Sequence, residues 1–422
     1  MARRQVAVIG AGVAGLTAAY VLQRECDVTL YESAGRLGGH ADTHEVVDAA
    51  GHAQNVDTGF IVHNERTYPH LLRLFAELGV ATQDSEMSMS IRCGGCGLEY
   101  AGSRGAAGLF ADPRTAVRPA YLRMLVDVVR FNRAARVLMA GDADGDDLRT
   151  LGAFLDDHGF SPFFRAHYVT PVVSAVWSCS PELAMQYPAR YLFSFLQNHG
   201  MLTVKGSPVW RTVTGGSARY VERAAKNLSA VQTSTPVRSL ARTADGIVIR
   251  DDADAAVRFD AAVIATHPGQ ALALLEAPTD RQRALLGAIP YSRNPAALHT
   301  DPTVLPRRRG AQASWNYYLP DCAAASSEVH VTYDMNRLQR LDSPTRYLVT
   351  LHGAERVDPS AVLDSMDYEH PVFTPESTAA IARMGELDDA TLAFAGAYRG
   401  WGFHEDGCRS GVEAAASLGV RW

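Results

Sequence analysis

Apolar and polar positions recur with two different periods along this chain, and the switches between them mark out its elements. Gln5 to Ile9 is a short β-branched run, Val13 to Arg24 has helical character, and Asp27 to Tyr31 is a second apolar run. A strand, a helix and a strand are therefore expected from residue 5. A helix is expected to start near Thr67. Met87 to Arg92 and Leu98 to Ala101 read as strands, and the glycine pair in Cys93-Gly94-Gly95-Cys96 between them predicts a tight hairpin. Tyr121 to Met139, Leu148 to His158, Phe163 to Val176 and Pro181 to His199 have helical spacing, which gives a helical insertion at about 113–200.

Beyond residue 230 the strand pattern returns. Val231-Gln232, Val237 to Leu240, Gly246 to Arg250, Ala256 to Phe259 and Ala262 to Ala265 predict a meander that ends in a buried strand. Ala296 to Thr300, Ala313 to Tyr318, Val329 to Tyr333 and Tyr347 to Leu351 follow without helices between them, so an antiparallel sheet is expected. Leu392 to Ala395 reads as a strand, 396–407 as a glycine-rich turn and Cys408 to Leu418 as a helix.

At 422 residues and 47% hydrophobic content the chain can fill two or three cores. A net charge of −6 argues against a nucleic-acid partner. The only lysines are Lys205 and Lys226, which removes most candidates for Schiff-base chemistry. Six scattered cysteines indicate no disulfide framework, and a cytoplasmic location is expected. Arg3 and Arg4 before the run Val6 to Leu22 resemble a secretory leader superficially, but glycines at 10, 12 and 15 interrupt it. No apolar stretch reaches the roughly eighteen residues of a membrane span.

Those glycines carry the first chemistry. Gly10-Ala11-Gly12-Val13-Ala14-Gly15 has the spacing of a dinucleotide turn between a strand and a helix. Gly10 permits the tight turn, Gly12 lets phosphates approach the backbone, and Gly15 lets the helix pack on the sheet. Glu32, 22 residues after Gly10, ends the second strand where a carboxylate holds ribose hydroxyls. NAD and FAD both satisfy this pattern. The residues that follow, Ser33-Ala34-Gly35-Arg36-Leu37-Gly38-Gly39-His40, resemble the second glycine motif of the FAD-dependent amine-oxidase superfamily.

That resemblance extends to Thr214-Gly215-Gly216-Ser217, Pro236-Val237, Ala265-Thr266-His267-Pro268 and the C-terminal segment from Phe394 through Gly396 and Phe403-His404-Glu405-Asp406-Gly407. It implies FAD as cofactor, held by the residues of the two glycine motifs, by Thr58 and Gly59, by Val237 against adenine, by Ala265 and Thr266, and by Gly396, Phe403, His404, Glu405 and Gly407. It also implies a helix N-terminus directed at the flavin. At finer grain, Asp57 to Pro69, Trp177-Ser178-Cys179 and the Gly402 to Gly407 segment are similar to a bacterial FAD-binding subgroup linked with cyclopropane-type fatty-acid modification. A lipid acyl chain is implied as substrate.

The implied fold is α/β: a discontinuous Rossmann-like FAD domain from 1–75, 205–270 and 390–422, and an α+β substrate domain from 76–204 and 271–389. The implied activity is hydride removal from a C–H bond by an oxidase or desaturase. An amine or other small-molecule oxidase, an NAD-dependent dehydrogenase and a non-enzymatic dinucleotide-binding protein stay open as alternatives. The candidate catalytic residues are His404, Tyr398 and Trp401. His404 stands where the amine-oxidising members commonly place an aromatic, and their lysine near flavin N5 has no evident counterpart. It reads equally as a general base or as a wall residue.

Three features have plain structural readings beside functional ones. Cys93 and Cys96 read as a glycine-turned hairpin in preference to a redox or metal pair, and no metal site is expected. Trp315-Asn316-Tyr317-Tyr318 either roofs the flavin or packs a sheet. Arg114, Arg118, Arg123, Arg130 and Arg133 belong either to a solvated amphipathic stretch or to a surface for anionic membrane.

Overall fold

The computed structural model describes residues 3–141, 149–203, 207–322 and 329–422. Strand β1 (Arg4–Ile9), helix α1 (Val13–Leu22) and strand β2 (Cys26–Tyr31) form the expected N-terminal unit. The two strands pair in parallel, with Arg4 opposite Cys26 and Ile9 opposite Tyr31. Ala230–Gln232 lies outside β2, Ala261–Ile264 beside β1 and Leu392–Phe394 beyond it, so the sheet has five parallel strands. These strands lack polar alternation because both faces are covered. Val6, Val8, Val28 and Leu30 face α1 and the C-terminal helix His404–Ser417, while Ala7, Ile9, Ala262 and Ile264 face the antiparallel meander of Val237–Thr243, Gly246–Asp251 and Ala256–Phe259.

The second large sheet has seven strands in the order Val362–Pro371, Tyr291–His299, Leu348–Leu351, His330–Asp334, Trp315–Leu319, Met89–Cys93 and Glu99–Ala101. The four strands expected to form an antiparallel sheet pair antiparallel, and Met89–Cys93 joins them by running parallel to Trp315–Leu319. These last two strands are connected by more than two hundred residues, so no hairpin dictates their direction. The strand Val362–Pro371 lies at the sheet edge and was not foreseen.

Helices Pro119–Ala140, Leu151–Asp157, Thr170–Trp177, Pro181–Gln186 and Ala189–Asn198 pack an aromatic core around Phe131, Phe154, Phe164 and Phe193. The expected start at Leu148 lies outside the described residues. The single helix expected from Pro181 to His199 is two, because Pro188 has no amide hydrogen to continue the ladder. At the other end of the chain, the final helix starts at His404 and not at Cys408. Asp406 causes the early start: its carboxylate accepts the Phe403 amide at 3.1 Å and caps the first turn. No helix among the described residues is long and apolar enough to cross a membrane.

Candidate cofactor and substrate site

A cavity of about 630 Å³ runs from the C-terminal ends of β1 and Ala261–Ile264 to the face of the seven-stranded sheet. The carboxyl ends of parallel strands are where open α/β sheets take their ligands, because connecting loops diverge there. Gly10, Gly12, Val13 and Ala14 line the near end. A Cβ placed on Gly12 meets no atom within 4 Å, so the cradle beside it is open. Gly15 stands behind the wall. A Cβ there would sit 1.9 Å from the Gly10 carbonyl oxygen, which is the close approach its position requires.

Glu32 and Ser33 also line the cavity. The Glu32 carboxylate accepts the Ala11 amide at 2.8 Å and the Ala34 amide at 2.8 Å, which fixes it at the strand end facing the glycine turn. The second glycine segment lies directly on the first: Gly38 donates its amide to the Ala11 carbonyl at 2.8 Å, and Gly39 and His40 reach the cavity. Arg36 and Leu37 do not line it. The Arg36 guanidinium is taken by Asp42 at 2.8 Å and Leu37 packs against the hydrophobic core. Thr58, Gly59, Val237, Ala265 and Thr266 line the walls between the two ends.

From the C-terminal segment, Gly396, Tyr398, Trp401, Phe403 and His404 line the cavity. Two expected ligands from this segment are placed elsewhere. Glu405 turns away and accepts the His70 and Leu71 amides at 3.1 and 3.0 Å, capping helix Pro69–Leu78. Gly407 packs on α1, where a Cβ would lie 2.6 Å from Val13 Cγ1.

His404 is buried, stacked on Phe60 with ring centroids 3.6 Å apart, and its Nε2 is 3.1 Å from the Tyr220 hydroxyl. Burial, with His63 secondarily, lowers its pKa to about 3. It is therefore neutral near pH 7 and a weak proton acceptor. Tyr398 is buried and its hydroxyl pKa is pushed upward by that burial. Trp401 accepts the Trp177 indole N–H on its carbonyl at 3.0 Å, tying the helical layer to the C-terminal turn.

Sequence reasoning missed the wall from the edge strand, where Tyr368, Glu369, His370 and Pro371 line the cavity. Glu369 pairs with His267 at 2.9 Å. Burial lowers the pKa of His370 to about 4 and that of His40 well below the ordinary histidine value. Three buried polar atoms on the cavity wall, His40 Nε2, Trp315 Nε1 and the Tyr398 hydroxyl, have no hydrogen-bond partner among the described residues. An open glycine cradle, a carboxylate at the strand end and unpartnered donors fit an extended, polar and aromatic cofactor.

The chain matches the family described as flavin containing amine oxidoreductase over residues 13–418. A comparison with curated protein sequences finds no match. In structure it is similar to cyclohexylamine oxidase from Brevibacterium oxydans IH-35A, with a TM-score of 0.71 and 17% identity over 99% of this chain and 98% of that one. It is also similar to a CLA-producing fatty acid isomerase from P. acnes, with a TM-score of 0.69 and 15% identity over 99% of both chains. Putrescine oxidase bound to putrescine gives a TM-score of 0.67 and 16% identity over 98% of both chains. The chain belongs to the flavin containing amine oxidoreductase family and is an FAD-dependent oxidoreductase.

Proposed function

We propose that the substrate of this oxidoreductase is an apolar acyl chain rather than an amine. Its fold is shared by oxidases of amines and by a fatty acid isomerase, so the residues of the wall must decide. On the side away from the glycine turns that wall is Ile61, Val62, Ala175, Val176, Trp315 and Leu351. The cavity's carboxylates are Glu32 at the glycine turn and Glu369, already paired with His267. Among the described residues lining the cavity, an alkylammonium group leaving water would find only Glu32, which accepts two backbone amides, and Glu369, which is hydrogen-bonded to His267, whereas a methylene chain loses nothing. Lys226, the described lysine, is exposed at the end of helix Ala218–Ala225 and outside the cavity.

In this reading segments 1–75, 205–270 and 390–422 hold FAD. The amides around Gly12 take the pyrophosphate, Glu32 the ribose hydroxyls and the Val237 backbone the adenine. Bound FAD supplies a two-electron acceptor for hydride from a C–H bond. The N-terminus of helix His404–Ser417 places its positive dipole end at the cavity, and Trp401, Phe403 and Tyr398 shape the slot. Glu32→Ala is expected to weaken FAD binding roughly 10- to 150-fold, since hydrogen bonds to a charged acceptor contribute about 1.5–3 kcal/mol each. Fluorescence titration of the stripped protein with FAD measures it, and unchanged affinity would remove Glu32 from the site.

His404 orders the wall in this account and takes no proton. His404→Ala should keep FAD and slow anaerobic flavin reduction by less than about tenfold, with an unchanged pH profile. A loss of 100-fold or more with an altered profile would make it a general base.

Helix Pro119–Ala140 supports a lipid source. Leu122, Val126, Val129 and Val137 are exposed on it beside the exposed Arg123, Arg130 and Arg133. Apolar side chains flanked by cations suit an anionic membrane surface, on which this face docks. Sedimentation with phosphatidylserine vesicles, but not with phosphatidylcholine vesicles, is expected. The deciding test of the substrate class is anaerobic bleaching of the flavin by long-chain fatty acids and phospholipids, set against cyclohexylamine and putrescine. Bleaching by the amines alone would overturn the acyl reading.

A further inference from the structure

We infer that the chain carries a structural zinc site made of Cys93, Cys96, His167 and Cys322, on the substrate side of the molecule and separate from the FAD cavity. Sequence spacing gives Cys93 and Cys96 no second ligand pair nearby, but the fold brings His167 and Cys322 to them from distant segments. One ligand atom from each of the four residues lies within 4.8 Å of the other three. Cys93 and Cys322 sulfurs are 3.7 Å apart and the Cys96 sulfur is 3.5 Å from His167 Nε2. A tetrahedron with Zn–S near 2.3 Å and Zn–N near 2.05 Å has S···S edges of about 3.8 Å and S···N edges of about 3.6 Å. Both distances are those of ligands around one ion.

The surroundings fit the same reading. Cys93 ends the strand Met89–Cys93, and Gly97 closes the turn with its amide on the Cys93 carbonyl at 3.0 Å. Cys322 lies three residues after the strand Trp315–Leu319, which pairs Leu319 with Cys93. The glycine pair allows this approach: a Cβ on Gly94 would be 2.6 Å from the Pro320 carbonyl oxygen and one on Gly95 would be 3.1 Å from the Cys322 nitrogen. His167 lies in the π-helical turn Arg165–Val169, with Nδ1 3.0 Å from the Phe163 carbonyl. That carbonyl can only accept, so Nδ1 carries the proton and the Nε2 lone pair faces the sulfurs, as in a ligating histidine oriented by its second nitrogen.

Three thiolates and one imidazole form a closed, soft set that selects zinc and leaves no open position for catalysis. Binding displaces the three thiol protons and changes no oxidation state. The ion would fasten the π-helical turn to the sheet. The helix that follows, Thr170–Trp177, ends in Ala175, Val176 and Trp177 on the cavity wall, so the staple positions that wall.

The test is the metal content of the FAD-loaded protein, supplied with Zn²⁺, desalted and read by inductively coupled plasma mass spectrometry. One zinc per chain is expected in the wild type, falling at least about tenfold in Cys96→Ser/Cys322→Ser with FAD retained. Cys322 is exposed, so its thiol gives a second reading on the unmutated protein: slow reaction with a thiol reagent when zinc-loaded and fast reaction after chelation. A folded, zinc-free wild type, iron in place of zinc, full retention in the double variant, or a Cys93–Cys322 disulfide in unreduced peptides would each overturn the assignment.

Discussion

Gly12→Val is expected to give a folded protein that binds no FAD and is colourless. The backbone at Gly12 is extended, with φ −69° and ψ 177°, a conformation any L residue adopts. A Cβ there meets no protein atom within 4 Å, so the fold tolerates the side chain. What the isopropyl group enters is the cavity, in the space the pyrophosphate needs next to the amides. The neighbouring Gly15 offers the contrast. Its Cβ would lie 1.9 Å from the Gly10 carbonyl oxygen, so Gly15→Val should damage the fold itself. Circular dichroism and the visible spectrum of the two variants separate the cases, and stoichiometric FAD in folded Gly12→Val would displace the phosphate site.

Arg399→Ala should destabilise the protein by roughly 3–5 kcal/mol, the usual cost of leaving one member of a buried ion pair alone. The Arg399 and Asp388 side chains are 7% and 6% exposed and 2.7 Å apart. Asp388 also accepts the Phe394 amide at 2.9 Å, so the pair fastens the last parallel strand to the turn that carries Tyr398 and Trp401. Burial raises the Asp388 pKa above its ordinary value of 3.8 even with Arg399 beside it. A carboxyl raised in the folded state favours folding when protonated, so this contribution is present below the unfolded pKa and is lost as pH rises through the folded one. The deficit of Arg399→Ala should accordingly shrink in acid. Denaturant midpoints across pH measure this, and a variant within about 1 kcal/mol of wild type at neutral pH would contradict it.

The N-terminal unit was legible nearly to the residue, since buried parallel strands give unbroken apolar runs and the glycine turn has a steric reason at each position. The C-terminal helix was read four residues late because glycines at 400, 402 and 407 mask a start that depends on one side chain, Asp406. Strand Val362–Pro371 was missed for another reason. It is an edge strand in which only Tyr368 and Pro371 are buried, and among Asp364, Ser365, Asp367, Glu369 and His370 its apolar alternation is confined to Met366 and Tyr368, too short to stand out from a loop. Tyr368 and His370 are lost from the site with it; the visible signal is the short alternation through Met366 and Tyr368 before Pro371. Cys93, His167 and Cys322 lie too far apart in sequence for spacing to reveal them: a parallel strand pair brings Cys322 to Cys93, and the turn Arg165–Val169 brings His167. The resemblance of the C-terminal motif assigns Glu405 to the cofactor, but a carboxylate on a helical first turn can point to either side, and this one caps helix Pro69–Leu78.

The central claim is that one FAD lies across the cavity between the two glycine turns and the C-terminal segment. Its most direct measurement is the FAD released from the purified protein, set against the chain concentration. The account predicts a yellow protein with one FAD per chain. A folded, colourless wild type that takes up no FAD when incubated with it would contradict the claim.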